Sequence, residues 1–99
     1  MWTTEYVQER ITYWAQYFDY PVERALKIAQ CESSLNHEAI GDSGKAYGTF
    51  QFWEGTFYNF AQDYSSSTKN YKDPEHNIEV ALWALSHGKE SHWTCARKL

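Results

Sequence analysis

The sequence predicts a mainly α domain interrupted by one irregular loop or short hairpin. Three observations carry that reading. Apolar residues recur at helical spacing in several segments, prolines stand where helices should begin, and turn-forming residues crowd one stretch between Ser33 and Ala46.

Val7, Ile11, Trp14 and Phe18 follow one another at helical steps, so residues 4–18 read as an amphipathic helix. Asp19 and Pro21 break it. Pro21 suits the first turn of a second helix, whose apolar face is Val22, Ala25, Leu26 and Ala29, with Glu32 next on that face. From Ser33 to Ala46 the pattern is lost, and Asn36, Gly41, Asp42, Ser43 and Gly44 are turn residues. Residues 50–64 fit a third helix with Phe50, Trp53, Phe57, Phe60 and Ala61 on one side, although residues 47–52 also suit a strand. Residues 65–70 form a polar linker. Asp73 should then cap a helix with Pro74 in its first position and Ile78, Ala81, Leu82 and Leu85 on its inner face. Gly88 suits the stop, and the tail with Trp93 and Cys95 is expected to fold back.

Ninety-nine residues suit one domain. A net charge of −4 and the lack of any Lys/Arg run exclude a nucleic-acid partner, because phosphate binding needs a basic stripe. No apolar run reaches transmembrane length, so no membrane insertion is expected, and residues 1–4 lack the basic end and apolar stretch of a signal peptide. Either the chain is a mature domain or export happens another way. Aromatics make up 18% of the chain, more than a small core needs, which points to rings lining a surface cleft where sugar faces stack. Cys31 and Cys95 are either two buried thiols or one disulfide closing a long loop, the latter worth roughly 4 kcal/mol in the chain-entropy model. His37, His76, His87 and His92 lack metal-ligand spacing, and there is no phosphate loop or nucleophile elbow, so no metal and no cofactor are expected.

Glu32 carries the chemistry. A carboxyl on the buried side of a helix is desolvated, and at a helix C-terminus it meets the negative end of the dipole; both raise its pKa. An acid that stays protonated can donate to a leaving oxygen. A lone Glu is most often a solvated surface residue, so the neighbours decide. Glu32, Ser33, Leu35 and Asn36, then Ala39 and Ile40, then Ala46, Gly48, Phe50 and Gln51 follow in order, and Asp73, Pro74, Asn77 and Ile78 come later.

This ordered set resembles the soluble lytic transglycosylase branch of the lysozyme superfamily, over roughly residues 25–93. The resemblance implies a lysozyme-like fold and a peptidoglycan glycan strand as substrate. Glu32 would act as general acid and then base, giving 1,6-anhydro products. By similarity Gln51 would hold substrate and Ser33 would bond near the acid, although its hydroxyl can equally bond its own backbone. Tyr47 and Trp53 are stacking candidates, with Phe52 beside them. Gly48 serves either a close approach of backbone to sugar or a simple turn. An extracytoplasmic site of action follows, whether secreted, periplasmic or phage-associated, and a monomer is expected.

The chain departs from that family at a late Ala-Tyr-Asn-Ala-Gly segment, which here reads Ala84, Leu85, Ser86, His87, Gly88. The tyrosine that faces the acid is missing, and Trp83, Ser86, His87 or a tyrosine from elsewhere are the candidate substitutes. Two rivals stay open. A hydrolytic muramidase would need a second carboxylate, for which Asp42 is the best candidate ahead of Asp63 and Asp73. A glycan-binding or structural wall module would keep the fold without turnover.

Overall fold

Every residue of the chain, 1–99, is described by a computed structural model, and its helices begin and end close to where the apolar spacing puts them. Helix α1 spans Thr4–Tyr17, capped by Thr3, whose Oγ1 accepts the Tyr6 N–H at 3.0 Å. It buries Val7, Ile11 and Ala15. Helix α2, Val22–Ser33, follows Pro21 and buries Ala25, Ile28 and Ala29. It ends where Ser34 enters the left-handed region at φ +56°.

The turn-rich stretch is a miniature antiparallel meander. Strands β1 (Ile40–Gly41), β2 (Ala46–Tyr47) and β3 (Phe52–Trp53) lie in that order, pairing Ile40 with Tyr47, Gly41 with Ala46, Ala46 with Trp53 and Tyr47 with Phe52. A single 3-10 turn, Asp42–Gly44, joins the first two strands. Helix α3 then spans Glu54–Tyr64. The helical pattern that begins at Phe50 therefore loses its first four residues, Phe50 and Gln51 to a turn and Phe52 and Trp53 to the sheet. The cause is backbone chemistry: Gly48 and Gln51 adopt positive φ, and the Phe50 peptide bonds to side chains instead of a helical ladder.

Helix α4, Pro74–Ser86, is the centre of the fold. Asp73 caps it, Oδ1 accepting the N–H groups of Glu75 and His76 at 2.8 and 3.1 Å. Eight of its thirteen residues are buried, six of them apolar, as befits a core helix. It packs on α1, on α3 and on a second 3-10 turn, Glu90–His92, that precedes the short helix α5, Thr94–Lys98. Phe50, Phe52 and Phe57 are fully enclosed beneath the meander, and Trp93 joins them.

Two buried polar groups of α4 have their partners. Asn77 Oδ1 accepts the Phe50 N–H at 3.0 Å, and its Nδ2 donates to the Tyr47 carbonyl at 3.1 Å. Glu79 receives the Tyr64 hydroxyl and the Lys69 ammonium. At the rim of α4, Glu75 takes hydrogen bonds from Arg10 and, at 2.7 Å, from the Trp14 indole, which outweigh its desolvation and hold its carboxyl below the usual range. Gly48 has a structural reason: its φ is +86°, and a Cβ there would overlap the Asn77 amide. Cys31 and Cys95 are joined in a disulfide that pins α5 to the end of α2 across 64 residues of sequence.

Two stability outcomes follow. Replacing both cysteines by serine, or reducing the bridge, is expected to lower the urea-unfolding free energy by roughly 4 kcal/mol, the entropy of the released loop. Asn77→Ala strands a buried N–H and a buried carbonyl and should cost about 3 kcal/mol, whereas Thr49→Val should be close to neutral or stabilising, because the Thr49 hydroxyl is buried without a partner. Equal losses in the two variants would contradict this assignment.

Candidate active site

Glu32 lies in the last turn of α2, half-buried, next to the bridged Cys31. The disulfide brings the start of α5 over it, and the Cys95 N–H reaches Glu32 Oε2 at 3.4 Å. Four influences act on its proton. Desolvation is the largest and raises the pKa; the Cys95 N–H opposes it, Asp42 adds to the rise, and Lys98 lowers it. The net shift is upward, as expected for an acid on the inner face of a helix end.

A cavity of about 350 Å³ opens beside this carboxyl. Glu32, Asp42, Gln51 and Trp53, four residues singled out from the sequence, meet on its walls. Asp42 comes from the turn after β1, and its Oδ2 accepts the Trp53 indole N–H at 3.0 Å. Trp53 is exposed at the end of β3 and lies between this cavity and a second one of about 440 Å³.

Gln51 is a fastener as well as a wall residue. Its φ is +51°, in the left-handed region, and its Nε2 donates to the carbonyls of Ala39 at 3.0 Å and Gly48 at 2.9 Å. Gly41 leaves room for that amide, since a Cβ there would overlap Gln51 Oε1. Of the six non-glycine residues with positive φ, five surround this cavity in sequence: Ser34, Leu35, Asp42, Ser43 and Gln51. Backbone strain of that kind persists only where packing and hydrogen bonds over-determine it.

Two other expected residues sit differently. The Ser33 hydroxyl turns inward, donating to the Thr49 carbonyl at 2.7 Å with the Ala29 carbonyl at 3.3 Å, and does not line the cavity. Tyr47 lines the second cavity beside Trp53, away from Glu32.

The rest of the cavity wall comes from a segment the sequence did not single out for this role. His92, Trp93 and Thr94 complete the cavity wall. Trp93 is buried, with its Nε1 donating to the Phe50 carbonyl at 2.9 Å, and partial desolvation against the neighbouring aromatics lowers the His92 pKa. A signal was present: once Cys31 pairs with Cys95, residue 94 must lie beside residue 32. Trp83, Ser86 and His87 instead form a cluster of their own, with Ser86 Oγ donating to the Trp83 carbonyl and the His87 ring stacked on Trp83. No tyrosine lines the Glu32 cavity.

No three His, Cys, Asp or Glu side chains gather at metal-binding distance, and no helix is long and apolar enough to cross a membrane. The cavity instead offers a desolvated carboxyl, a carboxylate already engaged by an indole, and aromatic walls. That is equipment for proton transfer to an uncharged ligand with stacking faces.

Comparison with known proteins agrees. The family model described as the transglycosylase SLT domain matches residues 9–94, which include Glu32, Gln51 and Asn77. No curated protein and no solved structure gives a significant match. With nearly its whole length matched, the chain belongs to the transglycosylase SLT domain family, whose members are lytic transglycosylases acting on peptidoglycan outside the cytoplasm.

Proposed function

We propose that this chain is one catalytic domain that cuts the β-1,4 bond between N-acetylmuramic acid and N-acetylglucosamine, with Glu32 as acid and then base. One observation carries the reading: a half-buried carboxyl, its pKa raised chiefly by desolvation, on a cavity wall shared with Gln51 and Trp53. Such a group keeps its proton closer to neutral pH and can deliver it to the glycosidic oxygen as the C1–O bond breaks. The carboxylate left behind takes the proton of the muramoyl C6 hydroxyl. The O6–C1 bond closes, a 1,6-anhydro end forms, no water is consumed, and Glu32 is protonated again. The 3.4 Å contact from the Cys95 N–H gives the ionised form one donor between the two steps.

A hydrolytic muramidase is the second reading, and the presence of Asp42 in the same cavity favours it. Water activation or nucleophilic attack needs a carboxylate with an oxygen directed at the reacting centre. Asp42 Oδ2 is already occupied by the Trp53 indole, and the side chain is exposed, which supports the intramolecular route. A disulfide suits action in an oxidising compartment, in keeping with a secreted or phage-borne protein.

Glu32→Gln is nearly isosteric and should keep the fold while abolishing release of soluble fragments from a cell-wall suspension, followed by turbidity. Undiminished release sinks the assignment. The same variant has a second expected effect on stability. A folded pKa raised above the unfolded value makes ionisation destabilising as pH rises through the folded pKa. Glu32→Gln should therefore melt higher than the native chain at neutral pH, with the gap closing below the ordinary glutamate range. Mass spectrometry of the native digest separates the two chemistries: products lacking one water per cut are expected, and free reducing ends would establish hydrolysis.

A further inference from the structure

The second cavity, about 440 Å³ in volume, meets the Glu32 cavity at Trp53, and nothing in the proton-transfer chemistry uses it. Its aromatic lining is Tyr47, Trp53 and Tyr71. Bare rings in such a place would suit sugar faces, but two of these rings are covered by cations. Lys45 Nζ stands 5.2 Å from the centre of the Trp53 ring, and Lys72 Nζ stands 5.4 Å from that of Tyr47. The third ring has its hydroxyl committed, donating to the Phe52 carbonyl at 2.9 Å with the Lys45 carbonyl at 3.3 Å. Neither ammonium has an ion-pair partner, the three ion pairs of the chain all lying elsewhere. Glu54 is the one carboxylate of the lining, and its place in the first turn of α3 is explained by the helix dipole. An acidic chain thus presents two uncommitted cations within one concavity beside the candidate catalytic cavity.

We propose that this cavity is a carboxylate site that receives the anionic peptide stem carried by a muramoyl residue, with Lys45 and Lys72 supplying the charge. The proposal rests on the peptidoglycan reading above. A glycan strand is uncharged along its sugar rings, whereas the stem brings free carboxylates, which are the groups two ammoniums recognise. The stem would leave the strand on the Trp53 side, so stem charge and cleavage become linked through one shared wall.

The test has a binding arm and a turnover arm. A soluble stem peptide with free carboxylates, and the same peptide amidated at those carboxylates, are titrated against the native chain, Lys45→Gln/Lys72→Gln and Glu54→Gln. The acidic peptide should bind the double lysine variant about fivefold more weakly, as expected for two solvent-exposed charge pairs. It should bind Glu54→Gln more tightly, and its binding should weaken with salt. On cell walls, the ratio of cleavage rates before and after carbodiimide amidation should fall by a similar factor in the double variant. Equal binding of the acidic and amidated peptides, or a double variant that binds like the native chain, overturns the proposal. If binding follows charge while Glu32→Gln still cuts, the catalytic reading fails and the carboxylate site stands. If cutting depends on Glu32 but neither arm responds to charge, only the carboxylate site is lost.

Discussion

Residues 48–51 connect two short strands through the interior with no regular ladder of their own, and this constraint organises the rest of the molecule. A buried peptide group left without a partner costs about 1–3 kcal/mol, so each must be met by something. Side chains from distant elements, with Gln51 from the segment itself, meet most of the carbonyls. The Tyr47 carbonyl takes Asn77 Nδ2, Gly48 takes the Gln51 amide, Thr49 takes the Ser33 hydroxyl, Phe50 takes the Trp93 indole, and Phe52 takes the Tyr71 hydroxyl. The Phe50 N–H goes to Asn77 Oδ1. Helix α2, helix α4 and the C-terminal segment are each tied to the same short loop. The loop in turn carries Gln51 and leads into Trp53, two walls of the cavity beside Glu32.

That arrangement explains why two polar side chains close to the candidate site turn toward the loop. Ser33 stands beside the candidate acid yet spends its hydroxyl on the loop. Gln51 faces the cavity yet spends its amide on two carbonyls. Both tie down a segment in which Gly48 and Gln51 adopt positive φ, and that segment leads into the wall the cavity shares with Glu32.

The environment of Glu32 is a balance in which desolvation wins. Its position on the inner face of α2 removes water, and Asp42 adds negative charge, while the Cys95 N–H and Lys98 pull the other way. The opposing pair both come from α5, which is held in place by the disulfide. The bridge therefore stabilises the chain and also sets part of the electrostatic surroundings of the carboxyl. No tyrosine lines this cavity, and His92, Trp93 and Thr94 of the C-terminal segment share its wall with the acid.

The sequence by itself determined helices α1, α2 and α4 and the Asp73 cap, because those depend on neighbours within one helical turn. Val7 and Ile11, Ala25 and Ala29, and Asp73 before Pro74 read correctly for that reason. The ordered motifs around Glu32, Gln51 and Asn77 likewise pointed to the family and to a cavity that Asp42 and Trp53 also line. Tertiary structure alone decided where the third helix begins, since Phe50 and Trp53 have helical spacing but the peptides of Phe50 and Phe52 are captured by Asn77, Trp93 and Tyr71. It also turned Ser33 inward, moved Tyr47 into the neighbouring cavity and brought His92, Trp93 and Thr94 to the cavity that Glu32 lines. Periodicity reports which face of a segment is buried, whereas hydrogen-bond partners and facing walls are set by residues tens of positions apart, which local spacing does not encode.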